Sequence, residues 1–195
     1  YPGYRLEFSG EQEENIKSKQ GFLLAFGLSF LLIFLILAAN FNSLIQPLIV
    51  MSAIPFGLIG VIWAFHFHGY PLSFFMMMGI VGLTGIVVND SIVLVEFINN
   101  LRRSGVERRK SIVEAGRLRL RPVILTTITT SLGLVPTAYG IWGGDPFLRP
   151  MALTIVWGIV CATVLTLIAL PCIYAIIDDI TLKLIGHSTV KSQDG

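Results

Sequence analysis

The residue of this sequence most able to do chemistry is an aspartate inside an apolar segment. Asp90 and its neighbour Asn89 lie within residues 80–97, most of which are apolar or small. A charged carboxylate near the centre of a bilayer costs about 2.5–3.5 kcal/mol on insertion scales, so such residues usually mark a pathway, a relay or a buried pair. Protonation of Asp90 removes this cost. A carboxyl group that gains and loses a proton inside a membrane is what a proton-driven transporter requires.

Small and polar residues continue along the same predicted helix. Gly82 and Asn89 are seven residues apart and therefore lie near one helix face, with Gly85 between them. Glycine lets a neighbouring helix approach closely, and polar side chains then bond across the contact. A later segment carries a second small-xxx-small pair. The residues expected at helix contacts are Gly82, Gly85, Gly158 and Ala162.

Hydroxyl side chains on the following predicted helix are candidate partners of Asp90. Thr126 and Thr130 are the two whose depth matches that of Asp90, counted from the same ends of the two segments. The alternative is that these hydroxyls bond only to their own helix backbone. We expect a proton relay that contains Asp90, Asn89, Thr126 and Thr130.

The composition places these residues in a membrane protein. The chain has 195 residues, of which 54% are hydrophobic and 13% charged, whereas soluble domains carry about 25% charged residues. No nucleophile–base pair, phosphate loop or cluster of metal ligands is visible, so we expect no enzyme activity, no cofactor and no metal site. Five apolar blocks predict an all-α integral membrane protein with spans at about 20–39, 46–66, 72–98, 122–141 and 149–177.

The charged connection between the third and fourth spans, residues 99–121, sets the expected orientation. It carries eight basic residues against two acidic ones, and such loops stay in the cytoplasm. Ile112, Val113 and Ala115 lie together within it and predict a short helix over residues 106–117 on the inner membrane interface. The N-terminus is then periplasmic, and the tail at 181–195 is cytoplasmic. The basic residues expected to set the topology and to contact anionic lipid headgroups, rather than nucleic acid, are Arg102, Arg103, Arg108, Arg109 and Lys110.

The polar N-terminal segment predicts that the chain is a fragment. Residues 4–8 alternate like a β-strand that has no partner strand. We therefore expect residues 1–15 to end a periplasmic domain and residues 16–180 to form the transmembrane domain. Five spans with an outside N-terminus and no visible signal peptide also suggest that an earlier span is missing.

Five motifs follow one another in a fixed order along the chain. They are Ala39–Leu48, Ala53–Gly57, Gly85–Phe97, Glu114–Thr127 and Gly144–Phe147. Together they resemble the C-terminal membrane half of a resistance-nodulation-cell division transporter. The resemblance implies twelve spans in two repeats of six, with a periplasmic domain after the first span of each repeat. This chain would supply the last five spans.

The resemblance also implies partners and a mode of action. Such transporters are homotrimeric inner-membrane pumps that exchange protons for drugs, lipophilic compounds or metal ions. A periplasmic adaptor and an outer-membrane channel often complete the assembly. The expected partners of this chain are therefore membrane lipid, the first-repeat helices and the periplasmic domains.

At the proton site the sequence departs from the well-known drug pumps that it resembles. Those pumps carry a lysine, paired with two first-repeat aspartates, where this chain has Asn89. Asp90 stands where the repeat symmetry places one of those aspartates, and Thr126 matches the hydroxyl beside the relay. The hypothesis is that Asp90 shares proton traffic with the first-repeat aspartates. The alternative is a protonated, hydrogen-bonded structural residue.

Three functions are compatible with these features. The first is a proton-driven exporter, which the basic connection and the Gly144–Phe147 turn favour. The second is a relative of the superfamily that handles lipids or sterols or exports proteins. The third is a non-transporting membrane scaffold or oligomerisation module, which predicts no pH-dependent behaviour around Asp90.

Overall fold

The computed structural model describes residues 9–70, 73–141, 143 and 145–191. Within these ranges there are only helices and their connections: α1 (Ser9–Phe41), α2 (Ile45–Met51), α3 (Ile54–His68), α4 (Phe74–Arg103), α5 (Arg108–Tyr139) and α6 (Leu148–Lys191). The strand expected at residues 4–8 lies outside the described residues, as do Gly144 and the last part of the tail.

Five segments of the described chain are long and apolar enough to cross a membrane. They are Gly21–Phe41, Ile45–His68, Phe74–Arg103, Arg108–Tyr139 and Leu148–Ile177. The predicted fold class, an all-α integral membrane protein with five transmembrane helices, is confirmed. The second span consists of two helices, α2 and α3, and Pro55 lies in the first turn of α3, where its missing N–H group is tolerated.

The chain divides into two compact units, residues 1–43 and 44–195. The first unit contains α1, which exposes large apolar side chains such as Leu24, 70% exposed. The second unit contains α2 to α6 and every residue predicted for the proton site. Within this second unit, α3, α4 and α5 all pack against α6.

Glycines allow α3 and α4 to approach α6 closely. A Cβ atom at Gly60 of α3 would lie 2.6 Å from the carbonyl oxygen of Trp157. A Cβ atom at Gly79 of α4 would lie 2.9 Å from the carbonyl oxygen of Met151. Real Cβ atoms do not occupy such positions, so these two contacts require glycine.

The helices α4 and α6 run parallel and in register. Gly79 lies against Thr154, and Leu83 lies against Gly158. Tyr174 donates a hydrogen bond of 2.8 Å to Asn99. In each of these three pairs the two residues are 75 positions apart in the sequence. α5 runs in the opposite direction to α6, because successive residues of α5 meet earlier residues of α6. Arg108 pairs with Asp179 at 3.0 Å, Thr127 bonds to Thr163 at 2.7 Å, and the Tyr139 hydroxyl accepts from Trp157 at 3.1 Å. This arrangement brings the middle of α4 level with Thr166.

Polar side chains connect the helices of the second unit near both ends. At one end Asn99 donates to Oε1 of Gln46 at 2.9 Å, and its own Oδ1 accepts the Tyr174 hydroxyl. At the other end the Tyr139 hydroxyl accepts a hydrogen bond of 3.1 Å from Trp157 Nε1 and lies 3.3 Å from His68 Nε2. These contacts fix α2, α4 and α6 at one end and α3, α5 and α6 at the other.

The charged segment 99–121, expected to be a cytoplasmic loop with a short interfacial helix at 106–117, consists mostly of the ends of α4 and α5. α4 continues to Arg103 and α5 begins at Arg108, so only residues 104–107 connect them. Arg, Lys, Glu, Leu and Ala have high helix propensity, and a charged segment therefore does not have to be a loop. α5 also continues through Pro122, which is exposed; membrane helices tolerate proline where the freed backbone groups find other partners.

At the C-terminus the structure also extends a helix beyond its expected end. α6 continues from Leu148 to Lys191, so the tail expected at 181–195 is helical as far as Lys191. Its apolar part ends at Ile177. Pro171 lies inside α6 without ending it.

Candidate proton-transfer site

Asp90 lies near the middle of a spanning helix. At about 1.5 Å per residue it is about 24 Å from Phe74 and about 20 Å from Arg103 along α4. Its side chain is partly buried, whereas Asn89, about 100° further round the helix, is exposed. The two neighbours therefore face different surroundings, although the sequence predicts one polar site for both.

The side chain of Asp90 lines a small cavity between α4, α5 and α6. Its volume of about 10 Å³ is at the lower bound of the space that one water molecule needs. The cavity follows from the helix register, because the parallel α4 and α6 and the antiparallel α5 bring their polar residues to one depth. Its lining consists of Asp90, Ser91 and Leu94 from α4, Arg119 and Val123 from α5, and Thr166 and Leu167 from α6.

Arg119 is the cationic group of this cavity. Its guanidinium carbon lies 4.7 Å from the ring centroid of Phe97, a cation–π contact that stabilises by about 1–2 kcal/mol where water is excluded. The planar guanidinium is thereby held in one orientation. In the part of the chain that the structure describes, no direct hydrogen bond or ion pair joins Arg119 to Asp90, so the two charged groups share a cavity without touching.

The two hydroxyls of the cavity use their hydrogens on their own helices. Thr166 donates to the carbonyl of Ala162 at 2.6 Å, and Ser91 donates to the carbonyl of Val87 at 2.8 Å. This i to i−4 bonding is typical of Ser and Thr inside helices. It leaves each oxygen with lone pairs that can accept a further hydrogen bond.

The threonines predicted for the relay lie elsewhere on α5. Thr126 is exposed and donates to the carbonyl of Val123 at 2.9 Å, and Thr130 is partly buried; neither lines the Asp90 cavity. The buried hydroxyl of this region belongs to Thr127, which bonds to Thr163 of α6. Within the second unit the structure thus brings Asp90 together with Thr166, not with Thr126 or Thr130.

Of the four residues predicted at helix contacts, two lie at such contacts within this chain and two are exposed. Gly158 lies directly against Leu83, and Ala162 is buried beside Gly57. Gly82 and Gly85 are exposed, and a Cβ atom at Gly85 would meet no atom within 4 Å. Together with Asn89 and Glu96, which are also exposed, these two glycines form an open stripe along α4.

Of the five basic residues predicted to contact lipid headgroups, two bind to residues of α6 and three are exposed. Arg102 donates to the Tyr174 hydroxyl at 3.2 Å, and Arg108 forms an ion pair of 3.0 Å with Asp179. Both therefore connect their helices to α6. Arg103 at the end of α4 and Arg109 at the start of α5 are exposed, where they are available to headgroups. Lys110 is also exposed and forms an ion pair of 3.0 Å with Glu107.

Three polar residues of the cavity, Ser91, Arg119 and Thr166, were not among the predicted site residues. Arg119 was assigned to the loop at 99–121 because eight basic residues there indicated a topology determinant. A helical continuation of the fourth span towards the N-terminus places Arg119, Val123 and Thr127 four residues apart on one face, and this spacing was the available signal. Thr166 has no comparable signal, because only the register of α6 against α4 places it beside Asp90.

Comparison with known proteins identifies the family. The AcrB/AcrD/AcrF family profile matches residues 1–178. The cobalt-zinc-cadmium resistance protein CzcA of Cupriavidus metallidurans is 34% identical over 172 residues, which cover 88% of this chain and 16% of that protein. The multidrug resistance protein MdtC of Erwinia tasmaniensis is 33% identical over 147 residues, covering 75% of this chain and 14% of that protein.

A solved structure gives the same result. The crystal structure of a heavy metal efflux pump aligns with a TM-score of 0.74 and 27% identity, over 91% of this chain and 18% of the pump chain. The chain belongs to the AcrB/AcrD/AcrF family and so to the resistance-nodulation-cell division efflux transporters. The resemblance inferred from its motifs is confirmed. The chain spans about one sixth of the length of the curated relatives that it matches, 16% in the case of CzcA.

Proposed function

We propose that this chain provides the second-repeat membrane helices of a proton-driven efflux transporter and that Asp90 carries the coupling proton. The observation that supports this most directly is the cavity around Asp90. Asp90, in the middle of a spanning helix, lines one small cavity together with Arg119 of α5 and Thr166 of α6. Ionisable groups inside membranes that face the bundle interior in this way mark proton and ion pathways.

The lining of the cavity favours a proton over a metal cation as the coupling ion. Arg119 keeps its positive charge under all ordinary conditions, so a cation in the same cavity would meet a like charge. The volume of about 10 Å³ admits a water molecule at most. A proton on the Asp90 carboxyl requires no additional space.

The open stripe of α4 suggests where the first-repeat helices bind. Gly82 and Gly85 permit close approach of another helix, and Asn89 offers an amide that can bond across such a contact. In this proposal Asn89 and the exposed Thr126 face the first repeat, and Thr130 lies between that surface and the core. Asp90 lies on the side of α4 that packs against α5 and α6. In this proposal Asn89 and Asp90 together connect the first-repeat helices to the cavity within this chain.

The whole transporter is proposed to be a homotrimer of the inner membrane, with a periplasmic adaptor and an outer-membrane channel. The basic cluster at the junction of α4 and α5 supports a cytoplasmic location for that junction, with the N-terminus periplasmic and the C-terminus cytoplasmic. The names of the relatives support metal ions or organic compounds as substrates.

Substitution of Asp90 tests this function. The complete transporter carrying Asp90→Asn is reconstituted in vesicles, and internal pH is followed with a fluorescent dye after addition of Zn²⁺ or, separately, of ethidium. We expect proton flux to fall by about a hundredfold or more, because the amide cannot exchange the proton. Glu114→Gln is the matched control, since Glu114 is an exposed acid on α5 that lies outside the Asp90 cavity. Equal proton fluxes in the wild-type and Asp90→Asn proteins would refute the proposal.

A further inference from the structure

We propose that His68 binds a proton at the end of α3 and that this proton reverses the hydrogen bond between His68 and Tyr139. His68 and Tyr139 are the last residues of α3 and α5, and Trp157 is on α6. These three side chains, here called the ring cluster, join three helices at one end of the second unit. The inference does not depend on Asp90, which is about 24 Å along α4 from its first residue.

The hydrogen-bond partners of His68 determine which ring nitrogen carries a hydrogen when the ring is neutral. Nδ1 lies 2.7 Å from the carbonyl oxygen of Ala64, one turn earlier on the same helix. A carbonyl oxygen only accepts, so Nδ1 must carry the hydrogen and donate it. The other nitrogen, Nε2, then has a lone pair and acts as an acceptor.

Tyr139 supplies the hydrogen that Nε2 accepts. Its hydroxyl oxygen lies 3.3 Å from Nε2 of His68 and 3.1 Å from Nε1 of Trp157. The indole N–H group can only donate, and so the hydroxyl accepts from Trp157 and directs its own hydrogen to His68. In the neutral state all donations therefore run in one direction, from α6 through α5 to α3.

A proton on Nε2 reverses the bond between His68 and Tyr139. The proton forms a new N–H bond and breaks none, and the imidazolium then donates from both nitrogens. The Tyr139 oxygen has two lone pairs and accepts from His68 and Trp157 together. Its hydroxyl hydrogen turns towards solvent, which is possible because Tyr139 is 45% exposed. Both protonation states thus satisfy every group of the ring cluster.

Three features of the surroundings stabilise a positive charge on His68. It is in the last turn of α3, where the helix dipole favours a cation. Its ring centroid lies 5.7 Å from that of Tyr139 and 6.1 Å from that of Trp157, and aromatic rings attract cations at about this distance. Hydrogen bonds from a charged donor are also about twice as strong as neutral ones. We therefore expect the proton to tighten the contact of α3 with α5 and α6.

The groups around His68 leave one other histidine to exclude. Arg149 lies against Gly140, beside the ring cluster, and residues 74–89 of α4 carry no titratable side chain. The remaining titratable groups in the described residues near this end are His66, Tyr70, Asp145 and Cys161. Histidine changes charge between about pH 5 and 8, and so His66 is the group most easily confused with His68. His66 is exposed, and its ring contacts two other rings of α3.

Fluorine NMR tests the proton site in the complete transporter labelled with 5-fluorotryptophan. The signal of Trp157 is identified by its loss in Trp157→Phe. We expect this signal to move between about pH 5 and 8 in the wild type and to stay in its alkaline position in His68→Gln, whose amide does not titrate. His66→Gln is the matched control and should keep the wild-type response, because His66 is exposed on the same helix.

Tyr139→Phe tests whether the proton acts through the hydroxyl group. This variant keeps a ring beside His68 but removes the oxygen that links His68 to Trp157. We expect the pH response of the Trp157 signal to become much smaller. A response of wild-type size in this variant would overturn the reversal of the hydrogen bond, and this test stands even if His68→Gln fails to fold.

The outcomes separate this inference from the proposed function. A pH response that is lost in His68→Gln and kept in His66→Gln supports the His68 site. A Trp157 signal that does not move with pH in the wild type, or one that still moves in His68→Gln, overturns it and leaves the role of Asp90 intact. Asp90→Asn should leave the response unchanged. Loss of the response in that variant would assign the proton to Asp90 and overturn the His68 site.

Discussion

At the candidate site, contacts with neighbouring groups orient the side chains, and no ion pair with Asp90 is among them in the described residues. Arg119 is placed by a planar contact with Phe97, and the hydroxyls of Ser91 and Thr166 are oriented by bonds to their own helices. The side chain of Asp90, in contrast, has no direct bonding partner among the described residues. A carboxyl group that is surrounded by oriented groups but not bonded to them is able to change protonation without rearrangement of the helices.

The geometry of Arg119 predicts an effect of a substitution that keeps its charge. Arg119→Lys retains the cation but loses the planar contact with Phe97, which contributes about 1–2 kcal/mol in a desolvated site. We expect the rate of proton-coupled transport to fall by about tenfold. The rate is measured in reconstituted vesicles with a pH-sensitive dye. Arg117→Lys, an exposed site on the same helix, is the control; equal rates for the two variants would contradict a role for the ring contact.

At the scale of the helices, α6 is the common contact of the second unit. α3 and α4 reach it through glycines, and α5 reaches it through the bond between Thr127 and Thr163. Small residues are a general requirement for close helix packing in membranes, since no hydrophobic driving force operates between helices there. The depth of Arg119 and Thr166 relative to Asp90 depends on this packing.

A larger side chain at the contact of α3 with α6 is expected to destabilise the protein. In Gly60→Ala the new Cβ atom would lie 2.6 Å from the carbonyl oxygen of Trp157, and overpacking of this kind typically costs about 1–3 kcal/mol. We expect the Tm of the purified protein in detergent to fall by about 2–12 °C.

The matched control for this substitution is Gly116→Ala. Gly116 is inside α5, and a Cβ atom there would meet nothing within 4 Å. Alanine favours the helix over glycine by about 1 kcal/mol, so the Tm of this variant should stay constant or rise. A fall of equal size in both variants would show that the loss in Gly60→Ala does not come from the contact with α6.

At the scale of the whole molecule, charge is concentrated at the junction of α4 and α5. Arg103, Arg109 and Lys110 are exposed there, while the described turn residues between α5 and α6 carry the exposed Asp145. Basic residues close to the ends of spans are retained on the cytoplasmic side. The proposed orientation of the complete transporter follows from this distribution.

Accessibility of single cysteines tests the orientation. In a background in which Cys161 and Cys172 are replaced by alanine, Ser104→Cys lies in the exposed connection between α4 and α5. We expect a membrane-impermeant maleimide to label it only from the cytoplasmic side, because the basic residues beside it are retained there. Asp145→Cys, in the turn before α6, should be labelled only from the periplasmic side. The opposite pattern would reverse the proposed orientation.

The sequence by itself determined the class of the protein and the number of spans, and it singled out Asp90 as the candidate proton carrier. These properties depend on composition and on local pattern. An apolar block of about 20 residues is long enough to span a bilayer, and the five motifs in order indicate the family. The polar stripe of Gly82, Gly85 and Asn89 was also visible as a helix face, although the sequence did not show that this face stays open within the chain.

Only the tertiary structure decided which groups surround Asp90. The helix face of Asp90 is a local property, but its neighbours depend on the register of α4 against α6 and on the depth of α5. That register is set by close contacts such as Gly79 with Thr154 and Gly158 with Leu83, which connect residues far apart in the chain. For the same reason Arg119, which the sequence pattern assigned to a loop, belongs to a spanning helix and lines the same cavity as Asp90.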